Sequence, residues 1–101
     1  MKIPDKVKIG PYTYSVELTD GPIIVGGREC NGSIEYENLK IRILNKSAEQ
    51  IQITTFLHEV YHGIVRLHGI AFRTWDDEEI IDYTAIGWHQ VIIDNPEMFS
   101  A

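Results

Sequence analysis

The stretch Phe56-Leu57-His58-Glu59-Val60-Tyr61-His62-Gly63-Ile64 decides how the rest of this 101-residue chain is read. Phe56, Val60 and Ile64 recur at every fourth position, with Leu57 and Leu67 beside them. This is the apolar stripe of a helix that a sheet can cover. His58 and His62 stand to one side of that stripe. At i and i+4 on a helix they are about 40° apart in angle and about 6 Å apart along the axis. Both imidazoles therefore point the same way and can share one ion. Neutral imidazole nitrogen suits Zn²⁺, whose catalytic sites take three protein ligands and keep a position for water. Glu59 follows the first histidine directly, where the HExxH pattern places its general base. A carboxylate there takes a proton from zinc-bound water as that water attacks a carbonyl.

On the N-terminal side, Ser47-Ala48-Glu49-Gln50 reads as a capping box, with Ser47 at N-cap and Gln50 at N3. The helix is expected from Ala48 to about His68, with Gly69 as its C′ residue. Residues 33–44 read as a β-hairpin turning at Glu37-Asn38. Ile34 and Tyr36 share one face of its first strand, and Leu39, Ile41 and Ile43 alternate with Lys40 and Arg42 in its second. Nearer the N-terminus, Lys6 to Ile9 and Tyr12 to Leu18 alternate as strands around a turn at Gly10-Pro11. Tyr12, Tyr14, Val16 and Leu18 are expected on one face. Asp20-Gly21-Pro22 ends that strand, and Gly26-Gly27-Arg28-Glu29 reads as a loop or irregular edge.

Beyond the motif, Asp76 as N-cap with Glu79 at N3 opens a second helix. It runs to about Asp94, where Asn95-Pro96 stops it. Ile80, Tyr83, Gly87, Trp88 and Val91 are expected to pack inward. The architecture expected is one α+β domain over residues 1–101. It consists of a small, mostly antiparallel sheet of three to four strands, the HExxH helix, and a second, Glu-bearing helix.

Composition narrows the function classes. The net charge is −6, with 15 acids against 9 Lys plus Arg and no basic run, which disfavours nucleic acid as a partner. Hydrophobic residues make up 44 %, as in a globular protein, yet no segment is long enough to cross a bilayer, so no membrane role is expected. Cys30 is the only cysteine, which excludes an internal disulfide and suits a reducing, cytoplasmic setting.

The third metal ligand has three candidates. His68 follows His62 by six residues. On a continuous helix it lies about 15 Å along the axis from His58, too far to share an ion; a cation at the helix C-terminus is its expected role. Glu78, 16 residues after His62, leaves room for a turn and an antiparallel second helix. Glu78-Glu79-Ile80-Ile81-Asp82 also reads as ExxxD, in which Asp82 can orient a ligating imidazole. Glu79 is the rival to Glu78, although it has local work as the N3 capping residue.

HExxH on one helix with a glutamate on the next resembles the gluzincin arrangement of zinc metallopeptidases. The small size, the strands before the motif and the ending Val91-Ile92-Ile93-Asp94-Asn95-Pro96 resemble short phage or prophage metallopeptidases. These are similar to ImmA/IrrE-type proteins and to minimal gluzincins of about this length. The resemblance covers residues 30–96. It implies His58, His62 and Glu78 on zinc, Glu59 as base, a zincin-like fold, and a sheet edge that receives an extended peptide or protein substrate. The edge expected is Ser33 to Glu37. The rival reading is a catalytically silent or latent zinc-binding module with a regulatory or interaction role, favoured by the little chain left to build subsites.

Several residues sit at the margin of these readings. Cys30 reads as a buried strand cysteine, with a zinc-blocking thiolate as the alternative. His89 reads as structural. Tyr61, Tyr83 and His68 are each donors that could face developing negative charge. The ending Pro96-Glu97-Met98-Phe99-Ser100-Ala101 carries two large apolar residues beyond a helix stop. They either pack outside the two helices or enter the cleft and make the chain latent.

Overall fold

In the computed structural model, which describes residues 1–99, the chain is α+β. Strand β1 (Lys6–Ile9) turns through Gly10, at φ 61°, into β2 (Tyr12–Thr19). A separate two-stranded ribbon follows, β3 (Ile23–Val25) and β4 (Arg28–Cys30), then β5 (Gly32–Glu35) and β6 (Lys40–Leu44). Helices α1 (Glu49–His68) and α2 (Asp77–Asp94) complete the fold, with a final 3-10 turn over Pro96–Phe99.

The main sheet has the order β1-β2-β6-β5. It is mixed rather than mostly antiparallel. β1 and β5 run antiparallel to their neighbours, but β2 and β6 are parallel, with Val16 opposite Ile41 and Leu18 opposite Ile43. Parallel neighbours need a crossover between them. Here the ribbon and β5 together supply it. The ribbon corrects the expectation of a loop at residues 26–29. Gly26 and Gly27 both take positive φ, at 58° and 77°, the conformation that a two-residue hairpin turn demands. The turn between β5 and β6 is also longer than expected. It spans residues 36–39, and Leu39, not Asn38, takes positive φ.

Helix α1 lies across one face of this sheet. Phe56, Val60 and Ile64 are fully buried against Val7, Ile9, Tyr14, Ile41 and Ile43. A Cβ at Gly63 would stand 2.7 Å from Ile9 Cδ1, so the missing side chain sets how closely the helix approaches. Tyr12, Leu18 and Leu67, expected on the buried faces, lie near the ends of their elements and are exposed, although Leu67 packs against Gly10 in the β1–β2 turn. The helix begins one residue later than the capping box implies. Ala48 is its N-cap and gives no side-chain cap, while Gln52 Nε2 donates to the Ser47 carbonyl at 2.7 Å. Gly69, at φ 62°, ends it in the left-handed conformation.

Asp76 caps α2 as read, its carboxylate accepting from Glu79 N at 2.9 Å. A Cβ at Gly87 would collide with Ile64 Cγ2, so this glycine lets the two helices touch. Of the residues expected to pack inward, only Gly87 and Val91 are buried; Ile80 and Trp88 are half-buried, and Tyr83 is exposed. Asn95, 3 % exposed, fastens the end of α2 to the free side of β1. Its Oδ1 accepts from Lys8 N and its Nδ2 donates to Lys8 O, both at 2.8 Å, as a neighbouring strand would. One edge of the sheet is thereby closed, and β5 forms the other. Met98 is fully buried in the same core, and Lys2 N donates to its carbonyl. The tail therefore packs beside the helices rather than entering a cleft, as far as Phe99; Ser100 and Ala101 lie outside the described residues. Among the described residues, no helix is long and apolar enough to cross a membrane.

Candidate metal and peptide site

Helix periodicity brings His58 and His62 together as the sequence requires. Their Nε2 atoms stand 3.1 Å apart, with the rings 4.8 Å between centroids and at 74° to each other. Two nitrogens held by one tetrahedral zinc at about 2.0–2.1 Å stand roughly 3.3 Å apart. The pair therefore has the bite of a bidentate site. Without an ion, the same contact is a hydrogen bond in which one ring donates. Both rings face solvent at the rim of a cleft of about 560 Å³.

Glu59 lies on the inner wall of that cleft and is only 6 % exposed. What lets it lie there is Gly32 at the start of β5. A Cβ on Gly32 would stand 2.6 Å from Thr55 Cγ2 and 3.2 Å from Glu59 Oε2, so the strand backbone passes directly over the carboxylate. Sequence reading missed Gly32. A glycine opening a strand beside a helix is the signal of a close backbone approach. The far wall is the ribbon, through Val25 and Cys30, and Ile51 closes the apolar end. Cys30 is thus half-buried on the cleft wall, not in the core, and its Sγ faces the Arg28 carbonyl at 3.6 Å.

Burial raises the pKa of the Glu59 carboxyl, and the neighbouring His58 partly opposes this. Burial also lowers the pKa of His62, with His58 adding to the effect, so the free base needed by a metal is favoured there. Tyr36 is a third group that the sequence did not single out. It lines the cleft where the chain leaves β5. Its ring is held under the Arg66 guanidinium, 4.3 Å from the centroid. Burial and the nearby Glu59 raise the pKa of its phenol while Arg66 opposes them, so it stays protonated and able to donate. The donors expected from the sequence are elsewhere. Tyr83 packs between His68 and Trp75, at 6.1 and 5.1 Å between centroids, and neither Tyr83, His68 nor Tyr61 lines the cleft. His89 is exposed on the outer side of α2.

Glu78 and Glu79 are not brought to the histidines. Tyr83 stands opposite His68, and Gly87 opposite Ile64. In that antiparallel register the first turn of α2 lies beyond the end of α1, roughly 15 Å along the axis from the level of His62. Asp82, the expected partner of a ligating histidine, is exposed on the same turns. Among the described residues, no group of three His, Cys, Asp or Glu side chains gathers to hold an ion.

No protein-family model matches the chain, and no curated protein or solved structure matches it either.

The buried carboxylate has a measurable cost. In the unfolded chain Glu59 ionises near its ordinary value of 4.5. In the fold its pKa is raised, so the protonated form is favoured by folding. The stabilisation it gives is complete below 4.5 and is lost as pH rises through the raised value. Near neutrality the fold therefore carries an unfavourable buried charge. Glu59→Gln is expected to melt above the native chain near neutrality, with the gap closing as pH falls towards 4.5. A change of 1 kcal/mol moves the melting temperature of a domain this size by about 4–8 °C. Paired thermal melts in chelator across that range check this, and a gap that widens on acidification contradicts it.

Proposed function

We propose that the chain is a zinc-dependent peptide hydrolase of gluzincin type. The observation that carries this reading is the 3.1 Å convergence of His58 and His62 Nε2 over a cleft whose inner wall is the buried Glu59. A bound zinc would supply Lewis acidity towards water and towards a scissile carbonyl. The chain's own residues would do the rest. His58 and His62 would hold the ion by Nε2. Glu59, whose carboxylate makes no hydrogen bond to the described residues, would accept a proton from attacking water and pass it to the leaving amine. Its raised pKa suits both halves of that task. The Tyr36 phenol, steadied by Arg66, would donate to the oxygen on which negative charge develops. Substrate would lie extended along β5, whose outer edge makes no ladder with the ribbon beside it. Strand addition there gains main-chain hydrogen bonds, which a domain with so shallow a cleft needs most. A phage or prophage origin and a cytoplasmic setting belong to this same reading.

Glu78 is proposed as the third ligand, with Glu79 as the alternative. The register of α2 makes this a coupled event, because the segment from Gly69 through the first turn of α2 must shift towards His62. Metal binding is strong enough to drive such ordering. On this basis Glu78→Gln weakens zinc binding far more than Glu79→Gln does, and zinc slows amide exchange across residues 69–79. Equal affinities for the two variants, with unchanged exchange, would remove Glu78 from the site.

The separation between the histidines and both glutamates favours one other reading, a zinc-holding module that turns nothing over. Hydrolysis of a denatured protein mixture, with and without chelator, decides between them. The hydrolase reading expects chelator-sensitive cleavage. It also expects Glu59→Gln to keep its zinc while losing cleavage by about 10²–10⁴-fold. Zinc binding without cleavage would leave the module.

A further inference from the structure

Helix α2 is apolar on more than the side it buries. Only Gly87 and Val91 are buried on it, yet Ile81, Ile86, Ile92 and Ile93 are each about half exposed. Ile86, 58 % exposed, lines a groove of about 390 Å³ between α2, Leu67 of α1 and the end of β1, and Ile93, 57 % exposed, follows it two turns further along the helix. The groove shares no lining residue with the cleft at His58 and Glu59. A helix apolar around most of its circumference is ordinarily covered on both sides.

Charge selects what covers it. After Arg73 the chain holds seven acids and no Lys or Arg, whereas residues 1–73 hold nine Lys plus Arg against eight acids. The whole net negative charge therefore belongs to the segment that carries the exposed isoleucines. Of its acids, only Asp94 is ion-paired among the described residues, to Lys8 at 3.4 Å. Lys8, the one Lys or Arg among the groove's lining residues, is already paired with Asp94, so two-fold pairing of α2 with a second copy would add acids to acids with no further cation of the groove to answer them. An anionic lipid surface would be repelled for the same reason. A partner that brings apolar side chains together with positive charge meets both features.

We propose that the outer face of α2, with the groove it shares with Leu67, docks a basic amphipathic helix of a partner protein. The α2 helix has 18 residues, about 27 Å of axis, enough to lie against five turns of such a partner. Apolar side chains of the partner would enter beside Ile86 and Ile93, and its Lys or Arg residues would lie over the acids of α2.

The test uses the full chain and a fluorescent synthetic helix of about 18 residues, patterned with Leu on one face and Lys on the other. Controls replace Lys by Glu, or Leu by Ser. Anisotropy titrations at physiological salt are expected to show binding of the Leu/Lys peptide alone. The exposed double variant Ile86→Ser/Ile93→Ser is expected to keep its fold and zinc content and to weaken binding at least about tenfold. Amide chemical shifts should move along α2 and at Leu67 while those of residues 54–62 stay fixed. Undiminished binding to the double variant, equal binding of either control peptide, or shifts confined to the cleft each overturn the proposal. So does a dimer of the chain alone that the double variant dissolves, since a second copy would then be the occupant.

Discussion

The proposed site predicts about one zinc ion per native chain, and His58→Ala and His62→Ala are each expected to abolish its binding. Structural zinc contributes about 10–16 kcal/mol in small peptides near neutral pH, and a bidentate pair reduced to one imidazole loses a large part of its share. The two rings are exposed at the rim of the cleft, so neither substitution opens a cavity and the fold should survive. Metal analysis of the purified variants is the direct reading, with circular dichroism to show that the helix persists. Full occupancy in either variant would exclude the site. Because burial and His58 together lower the pKa of His62, binding by the native chain should persist to lower pH than an ordinary histidine pair allows. It should then fail as His62 protonates.

Phe56→Ala is expected to produce the largest loss of stability, about 3–5 kcal/mol. Phe56 is fully buried in the core cluster where α1 crosses the sheet, so its truncation leaves a cavity among side chains held by strands, helices and the C-terminal turn. A domain of this kind holds only about 5–15 kcal/mol in total, so the variant sits near the unfolding threshold. Urea titration monitored by helix content measures the difference. A loss under about 1 kcal/mol would mean that the α1–sheet interface is not the main core. At low temperature the variant should still bind zinc, since Phe56 and the histidine pair lie on different faces of α1. That separates a damaged core from a damaged site.

The features that the sequence determined by itself are those with a short period or a local steric demand. His58 and His62 share a face because four residues make about one turn. Asp76 caps α2, Gly69 ends α1, and Asn95-Pro96 stops α2, each by satisfying or denying a backbone group within a few residues. The β1–β2 and β5–β6 hairpins follow from alternation broken by turn residues, and the edge position of β5 agrees with the edge expected there. The ribbon is not among them: reading residues 26–29 as a loop or irregular edge passes over the hairpin-turn signal of Gly26-Gly27.

Other features were decided only in three dimensions. No local pattern says that β6 pairs parallel to β2; that follows from burying Ile41 and Ile43 beside Val16 under one helix. Tyr36 reaches the cleft and stacks under Arg66 although 29 positions separate them. Glu78 has the residue type and the spacing of a ligand, but the contact of Gly87 with Ile64 fixes how far α2 slides along α1, and that register holds Glu78 away. Met98, adrift by periodicity, becomes core because the end of α2 is tied to β1 by Asn95. The physical reason is common to all four. Turns, caps and periodicity act over a few bonds, where chain geometry is nearly fixed. Strand order and helix register are set by which surfaces exclude the most water together, and that sum is taken over residues far apart in the chain.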